Sequence, residues 1–374
     1  MPDMLASAFA DSIDVLLKGH ALEQFLFCDR ETIALKQLAS QLPPILRGGF
    51  ECRLSADDSQ VDLQQCIQCD EKELDSVNKI IEKALSASKA ADSPKDYVAW
   101  LRLQDFNAEW SKPDSFLRSH IIEIWLEFDI ELNANAPQPS LPLPSIFFGL
   151  PQSSLPASEA YRIAEKSLDL LMGRSAWKPW QNNLRRCFET CSGDVFISHI
   201  GVMLSRNSPA LRVNIRRLQP NSLATYLRQI LWPGAIDSIE ELANQLFDWV
   251  DRITLCLDVG ERILPKIGLE CTLLKQPQAD ACWSTFLDGL VALKICEPKK
   301  RQALLDWPRQ IHPLNASIPW PKDLVVASLL QPADRFAIFD CRISHIKVSW
   351  QANHPLEAKA YLWFQHRYLS LGVS

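Results

Sequence analysis

Basic and polar side chains recur at alternate positions in several short apolar runs of this sequence. They are Arg53, Arg212, Asn214, Arg216, Lys347, Lys359 and Tyr361. A β-strand sends alternate side chains to opposite faces, so each run would present these groups on one face. Arg binds phosphate through its planar fork and Lys binds it as a point charge, which makes such a face a candidate anion site. The same cations would also serve in ion pairs with carboxylates on neighbouring strands.

Carboxylates occupy the polar positions of the same kind of run. They are Glu51, Glu127, Asp129, Asp258 and Glu270. A carboxylate beside a bound molecule can remove a proton from it during a reaction. His199 falls on a polar face as well, either as a proton-transfer group or as a hydrogen-bonding brace of the strand, and the recurrence of His345 in a similar run favours the brace.

Three aromatic side chains, Trp125, Tyr361 and Trp363, share these polar faces with the charged groups. A face turned to bulk water rarely needs such residues. Aromatic rings stabilise cations by about 0.5–2 kcal/mol and exclude water, so the three rings could surround a positively charged reaction centre. The alternative is that they only fill space by packing.

Common catalytic motifs do not occur in the sequence. We find no G-x-S-x-G, phosphate-binding P-loop, G-x-G-x-x-G, H-E-x-x-H or paired aspartate-rich D-D-x-x-D motif, and there are only 12 glycines. Cys66 and Cys69 have the spacing of half a zinc site, but no second pair complements them. We therefore expect buried structural thiols there and no protein-bound metal.

Composition limits the partners and the compartment. The chain has 374 residues, of which 47% are hydrophobic and 22% charged, and its net charge is −6, as in ordinary globular proteins. No broad basic face is expected, which argues against nucleic acid, and no apolar stretch of about 18 residues predicts a membrane span. Residues 1–19 lack a basic region followed by an apolar run, and the eleven cysteines are odd in number. Both features favour a cytoplasmic location.

Ten alternating runs come in five pairs, each predicted to form a β-hairpin. The pairs are Gly49–Ser55 with Gln60–Cys69, His120–Leu132 with Pro144–Leu150, Asp194–Ser205 with Ala210–Leu218, Arg252–Gly260 with Lys266–Leu274, and Arg342–Trp350 with Glu357–Phe364. The second pair is joined by a long loop, Asn133–Pro144. Ile197-Ser198-His199-Ile200 recurs as Ile343-Ser344-His345-Ile346, which suggests internal duplication.

Helical periodicity separates the hairpins. It predicts helices over Glu71–Leu85, Ser158–Met172, Ser222–Leu231, Ser238–Val250, Cys282–Leu293 and Lys299–Leu305, and two more before Pro43-Pro44. Residues 88–118 are interpreted as an inserted loop with a short helix. We accordingly divide the chain into an N-terminal helical segment, 1–45, and a single domain, 46–374.

Each predicted strand has one apolar and one polar face. Helices on the apolar side would cover a sheet of about ten antiparallel strands, and closing that sheet around its polar face removes exposed edges. The sequence thus predicts an α+β fold, a barrel of about ten strands made of repeated helix–hairpin units with a solvated lumen and helices outside. The alternative is an open sheet with one face in water.

Three runs resemble strands of the ABBA aromatic prenyltransferases. Gly49–Leu54 resembles the first barrel strand of that superfamily, the run from Ile197 to Arg216 resembles its central hairpin, and Lys359-x-Tyr361 resembles its basic-x-aromatic pattern. The nearest resemblance is to the peptide-modifying cyanobactin prenyltransferases, and a more distant one is to the dimethylallyltryptophan synthases. Pro144–Phe148 departs from the pattern, because it lacks the basic and tyrosine residues of the tryptophan-modifying enzymes.

The resemblance implies transfer of a prenyl group from dimethylallyl or geranyl diphosphate, through an allylic cation, to an aromatic side chain of a peptide or small molecule. Glu51 would be the catalytic base, with Glu127, Asp129, Asp258 and Glu270 as alternatives. The diphosphate would lie on Arg53, Arg212, Asn214, Arg216, Lys347, Lys359 and Tyr361, and the cation and acceptor against Trp125, Trp363 and His199. Peptide-modifying relatives often use Mg²⁺ with the diphosphate. The alternative function is a non-catalytic barrel that binds a small anion or a peptide, which becomes the better interpretation if Glu51 and Arg212 pair and seal the lumen.

Overall fold

A computed structural model describes residues 6–18, 23–55, 60–91, 93–130, 141–151, 155–206 and 208–370. Most of the loop 133–144 lies outside these residues. Within them the strands are β1 (Arg47–Arg53), β2 (Val61–Gln68), β3 (Glu123–Phe128), β4 (Ser145–Gly149), β5 (Phe196–Val202), β6 (Ala210–Arg216), β7 (Arg252–Gly260), β8 (Ile263–Thr272), β9 (Arg309–Ile311), β10 (Arg335–Trp350) and β11 (Glu357–Ser370).

Helices separate the hairpins, as the periodicity predicts. They are α1 (Ala6–Leu17), α2 (Asp29–Ala39), α3 (Glu71–Ala90), α4 (Pro94–Ser111), α5 (Phe116–His120), α6 (Ala157–Leu171), α7 (Arg174–Trp177), α8 (Gln181–Thr190), α9 (Pro220–Gln229), α10 (Ile236–Phe247), α11 (Cys282–Ala292), α12 (Pro298–Asp306) and α13 (Lys322–Leu329), with three short 3₁₀ turns between them. None of the described helices is both long and apolar enough to cross a membrane.

Ten of the strands close into an antiparallel barrel. Strands β1 to β8 follow one another in the sheet, each paired with its neighbour in sequence. Strand β8 then pairs with β10, β10 with β11, and β11 with β1, which closes the ring. The short strand β9 adds to β10 outside this ring, at Phe339–Cys341. Each barrel strand therefore has a hydrogen-bonded neighbour on both sides. The predicted closed barrel is confirmed, and the alternative of an open sheet is wrong.

The main apolar core lies between the barrel and the helices. Phe50 of β1 faces outwards and packs on Phe364 of β11, with ring centroids 5.2 Å apart. Phe9 of α1 and Phe27 before α2 cover this pair from outside, at 6.1 and 5.2 Å. The N-terminal helices thus share one apolar layer with the barrel. The division at 45/46 stays a prediction.

Residues 88–118 are the largest departure from the predicted elements. Instead of a loop, 94–111 form the 18-residue helix α4, which starts with Pro94 in its first turn. Trp100, Leu103, Phe106 and Trp110 are buried on one stripe of it, so packing outweighs the many charged residues between them.

Three strand boundaries also differ from the prediction. His120 ends helix α5 and does not begin β3. Strands β10 and β11 extend well beyond the predicted runs, because Arg335–Ile343 pairs with the far end of β11 and with β9.

Candidate active site in the barrel lumen

Alternation along the ten strands places the polar faces around one cavity of about 660 Å³. Thirteen of the fifteen predicted site residues line it: Glu51, Arg53, Trp125, Glu127, His199, Arg212, Asn214, Arg216, Glu270, Lys347, Lys359, Tyr361 and Trp363. Asp129 and Asp258 are not among the lining residues. The lumen is large enough to hold a small organic molecule, for which sites of about 300–1,000 Å³ are usual.

Glu51 lies in the barrel wall opposite Tyr361 of β11, and its side chain is buried. Its Oε1 accepts a hydrogen bond from the ammonium group of Lys359, and the Tyr361 hydroxyl donates a second one. Burial by itself raises the pKa of Glu51, but the charge and hydrogen bond of Lys359 outweigh this and lower that pKa to about 2. Glu51 is therefore an ionised carboxylate held by a cation.

Asp62 of β2 is a buried carboxyl that the sequence argument did not consider. It lies directly opposite Glu51, and its Oδ1 accepts hydrogen bonds from the backbone N–H of Ile130 (3.0 Å) and from Gln60 Nε2 (3.2 Å). Burial and then the negative charge of Glu51 raise the pKa of Asp62 to about 7. The two neighbouring carboxyls thus have widely separated pKa values, and at neutral pH Glu51 is ionised whereas Asp62 is about half protonated.

Arg206, on the turn after β5, organises the acidic side of the lumen. Its guanidinium donates to Glu127 Oε1 at 2.7 Å and, through Nε, to Asp129 Oδ2 at 2.9 Å. Glu127 also accepts a hydrogen bond of 3.0 Å from Gln64, and burial raises its pKa. Arg206 and Ser205 hold the carboxylate of Asp129, and its predicted role as an alternative acid stays a prediction.

Arg212 and Asp258 form a bidentate pair across strands β6 and β7. They lie directly opposite each other, with Nε to Oδ1 at 2.6 Å and an NH2 nitrogen to Oδ2 at 3.3 Å. The carboxylate of Asp258 is turned to Arg212, and its predicted role as an alternative acid stays a prediction. Arg212 itself stays in the cavity wall. Glu51 and Arg212 thus face one cavity with different partners and do not seal it.

The side chain of Lys347, on β10, passes over Gly268 of β8 and lines the lumen. It lies opposite Glu270 of β8, and Nζ is 3.5 Å from Glu270 Oε1. Its Cε packs against Gly268. A Cβ added to Gly268 would lie 2.5 Å from Lys347 Cε, which is too close. Glu270 also accepts from Cys256 Sγ at 2.9 Å, and although burial raises the pKa of Glu270, His345 and Lys347 lower it to about 2.

Arg216 is an exposed cation in the wall of the lumen. Unlike Arg212, Lys347 and Lys359, its side chain has no hydrogen bond or ion pair within the described parts of the chain. Asn214, two residues before it, directs its amide nitrogen to Glu270 Oε1 at 3.4 Å. Arg216 is thus available to a ligand without displacing a partner.

The repeated Ile-Ser-His-Ile motif marks a β-bulge in each of two strands. The register of β5 shifts between Ile197 and His199, and that of β10 shifts between Ile343 and His345. In both, the serine hydroxyl lies 3.1 Å from Nδ1 of the histidine that follows it. The bulges turn both rings towards the lumen, where burial lowers the pKa of His199 to about 4 and also lowers that of His345.

Aromatic rings cover part of the lumen wall. Trp125 donates its indole N–H to Glu123 at 3.1 Å, and Tyr361 stacks on His345 with ring centroids 4.2 Å apart. Phe147 of β4 is a further lining residue, whose ring lies over Gly201 where an added Cβ would clash at 2.4 Å. Strand β4, which lacks basic residues, therefore contributes an aromatic face to the lumen.

The prediction of a buried thiol is confirmed for Cys66. Its side chain is buried, the thiol lies 3.5 Å from Glu123 Oε2, and burial raises its pKa to about 12. Cys69 is only partly buried. Within the described ranges no group of three or more His, Cys, Asp and Glu side chains is arranged to hold a metal ion.

No model of a known protein family matches the chain, and neither does any curated protein sequence. Solved structures do match over nearly the full length. AnaPT from Neosartorya fischeri has a TM-score of 0.52 and 10% identity, over 94% of this chain and 90% of that one. The 6-dimethylallyltryptophan synthase from Micromonospora olivasterospora, in complex with DMASPP and Trp, has a TM-score of 0.50 and 10% identity, over 96% of each chain.

A third structure, 5-dimethylallyltryptophan synthase from Streptomyces coelicolor, has 12% identity and a TM-score of 0.46, over 96% of each chain. At such identities a structural match establishes the fold alone. The order of the strands, the closed ring of ten and the outer helices agree with the ABBA prenyltransferase fold. The chain has the fold of the ABBA-type prenyltransferases.

Proposed function

We propose that this protein transfers a prenyl group from an allylic diphosphate to an aromatic group of a peptide or small molecule. The observation that carries the proposal is that one lumen holds a cluster of cations and a buried, ionised carboxylate. Lys347, Lys359, Arg212 and Arg216 line the same cavity as Glu51. A binding protein for a small anion would need the cations but not an opposing base.

The cations would promote departure of the diphosphate. Ionisation of an allylic diphosphate places several negative charges on the leaving group, which fixed positive charges stabilise in a low-dielectric site. Arg216 is free of an ion pair among the described residues, and Lys347 is held by Glu270 only at 3.5 Å. These two would meet the diphosphate first, with Arg212, Lys359, Arg53 and Asn214 completing its surroundings.

The aromatic rings would protect the allylic cation. Trp125, Phe147, Tyr361 and Trp363 all line the cavity, and ring faces attract a cation while excluding water. A cation that meets water before the acceptor would give the free alcohol. The rings therefore favour transfer over hydrolysis.

Glu51 is the proposed base, because it is ionised, buried and adjacent to the cations. Glu127 is the less suitable rival, since burial raises its pKa and Arg206 holds it. Glu270 and Asp258 are engaged by Cys256 and Arg212. His199 stays neutral at physiological pH, which supports a role in lining and bracing the lumen.

Mg²⁺ has no protein-only site within the described ranges. Mg²⁺ is usually held by substrate phosphates with one or two carboxylates, and the lumen carboxylates named above are each bound to a neighbouring side chain. We therefore derive no step through a metal ion. The donor, dimethylallyl or geranyl diphosphate, and a peptide acceptor are both parts of the proposal.

Calorimetry tests the donor site. Both diphosphates are titrated, with and without Mg²⁺, into the wild type and into the Arg212→Ala/Lys359→Ala variant. Micromolar binding that the double variant loses would support the site, and incubation with Trp- and Tyr-containing peptides should then add the mass of one prenyl group. Failure of the wild type to bind either donor would reject prenyl transfer in favour of a non-catalytic barrel.

A further inference from the structure

Three cations lie side by side across the strands β10, β11 and β1. Lys347 is directly opposite Lys359, and Lys359 is directly opposite Arg53. Like charges in opposed positions destabilise a sheet, so such a row needs compensation. Lys359 obtains it from Glu51, and Lys347 obtains it from Glu270.

Lys359 has two candidate partners that compete for its charge, Glu51 and a bound diphosphate. Its ammonium group donates to Glu51, which is buried and has the Tyr361 hydroxyl as a second donor. A carboxylate held in this way is a weak base, and its pKa of about 2 agrees with that. A diphosphate in the row of cations would compete with Glu51 for the same ammonium group.

We propose that Lys359 exchanges partners during the reaction: it neutralises Glu51 before the donor binds and turns to the diphosphate once the donor is bound. Glu51 then becomes able to accept a proton only after the donor is in place. The inference rests on the proposed function and adds an order to it, donor before productive acceptor. A lysine suits this exchange, because its charge is carried on a flexible four-carbon stem.

The chemical step balances with Glu51 as proton acceptor. The bond between C1 of the prenyl group and the diphosphate oxygen breaks, and its electron pair leaves with the diphosphate. An aromatic carbon of the acceptor forms the new bond to C1, and the proton of that carbon passes to a Glu51 oxygen. A Glu51 still bound to Lys359 would take up this proton poorly.

The surroundings of Glu51 determine what happens when Lys359 departs. Carboxyls on β2 and β3 interact with it unfavourably, and the bound diphosphate adds further negative charge. Each of these anions raises the pKa of Glu51. The groups that interact with it are Lys359 and Tyr361 of β11, Lys347 and His345 of β10, Asp62 of β2, Glu127 of β3 and Arg206 of the turn after β5.

Pyrophosphate binding to four proteins tests the exchange: the wild type, Glu51→Gln, Lys359→Met and the double variant. If Lys359 spends about nine-tenths of its time on Glu51, removing that competitor should tighten pyrophosphate binding about tenfold. The Lys359→Met variant should bind more weakly than the wild type. In its background, Glu51→Gln should bring no further gain.

Glu127→Gln is the matched control. It removes another buried carboxylate of the same lumen, one bound by Gln64 and Arg206 instead of Lys359. It measures the general effect of removing a negative charge. The double variant carries neither charge of the pair, so it remains measurable if Lys359→Met, with an unpaired buried carboxylate, fails to fold.

The outcomes separate the exchange from the diphosphate site. A gain for Glu51→Gln that exceeds that of Glu127→Gln and disappears without Lys359 supports the exchange. Equal gains for the two Gln variants, or pyrophosphate affinity of the double variant equal to that of Glu51→Gln, would overturn it while leaving the diphosphate site intact. A wild type that does not bind pyrophosphate would reject both the exchange and the proposed function.

Discussion

Asp62 makes the stability of the barrel depend on pH in a way that Asp62→Asn should remove. Its pKa in the folded protein is about 7, against an ordinary value of 3.8, because burial and the charge of Glu51 disfavour ionisation. The folded state therefore binds a proton that the unfolded state has lost. The stability from this proton is fully present below pH 3.8 and is lost as the pH rises through 7.

The magnitude follows from the separation of the two pKa values. Each unit corresponds to about 1.36 kcal/mol, so between pH 5 and pH 8 the wild type should lose about 3 kcal/mol through this group. The amide introduced by Asp62→Asn carries no charge, and its oxygen can still accept from Ile130 N–H and Gln60. The free energy of unfolding of the variant should therefore lack this pH dependence. Relative to the wild type, the variant should be about 3 kcal/mol more stable at pH 8 than it is at pH 5.

Urea denaturation at the two pH values measures this difference. Asp237→Asn is the control, since that side chain is 98% exposed, and it should change stability equally at both. A free-energy difference between Asp62→Asn and the wild type that is the same at pH 5 and pH 8 would refute the reasoning. It would mean that Asp62 is ionised in the folded protein despite its neighbour.

The remaining predictions concern the cations. Gly268→Ala should displace the Lys347 stem and weaken pyrophosphate binding several-fold with the fold intact, whereas Gly149→Ala, whose Cβ would have 3.5 Å to its nearest neighbour, should not; equal calorimetric affinities would contradict this. Arg206→Met should destabilise the protein by about 2 kcal/mol at pH 8, less than a fully buried pair because Arg206 is 37% exposed. The same substitution should lower the free energy of unfolding by less at pH 5, because Glu127, whose pKa is raised, binds a proton more readily there. Lys266→Met, at the exposed pair with Glu357, should cost at most about 1 kcal/mol in the same denaturation measurement.

Alternation along single strands was sufficient to predict the barrel and most of its lumen. It identifies the inward side chains of β6 or β11 without knowledge of their neighbours, because the period of two is a property of one strand. It also predicted ten strands and their closure. The same reasoning missed α4, where four buried aromatic and aliphatic residues are separated by charged ones that hide the stripe.

Partners across the lumen could not be predicted in this way. Glu51 and Lys359 are 308 positions apart and meet only because β11 returns to β1. The register between β1 and β11 depends on how the barrel closes, and alternation within a single strand does not reveal it. Arg206 escaped notice for a related reason: it follows β5 in a turn, where alternation no longer indicates direction, yet it reaches two carboxylates of β3 and the residues after it.

The matched charges of the lumen would make the proposed site selective for a diphosphate. Lys359, Lys347 and Arg212 each have a carboxylate partner, so an incoming anion gains only the difference between its own contacts and those that it replaces. A single carboxylate would gain little by this exchange. A diphosphate carries several charges on adjacent phosphates and can reach Arg216 and two of the paired cations together, so its gain is larger. We therefore expect pyrophosphate to bind much more tightly than inorganic phosphate, which calorimetric titration of both anions into the wild type would measure.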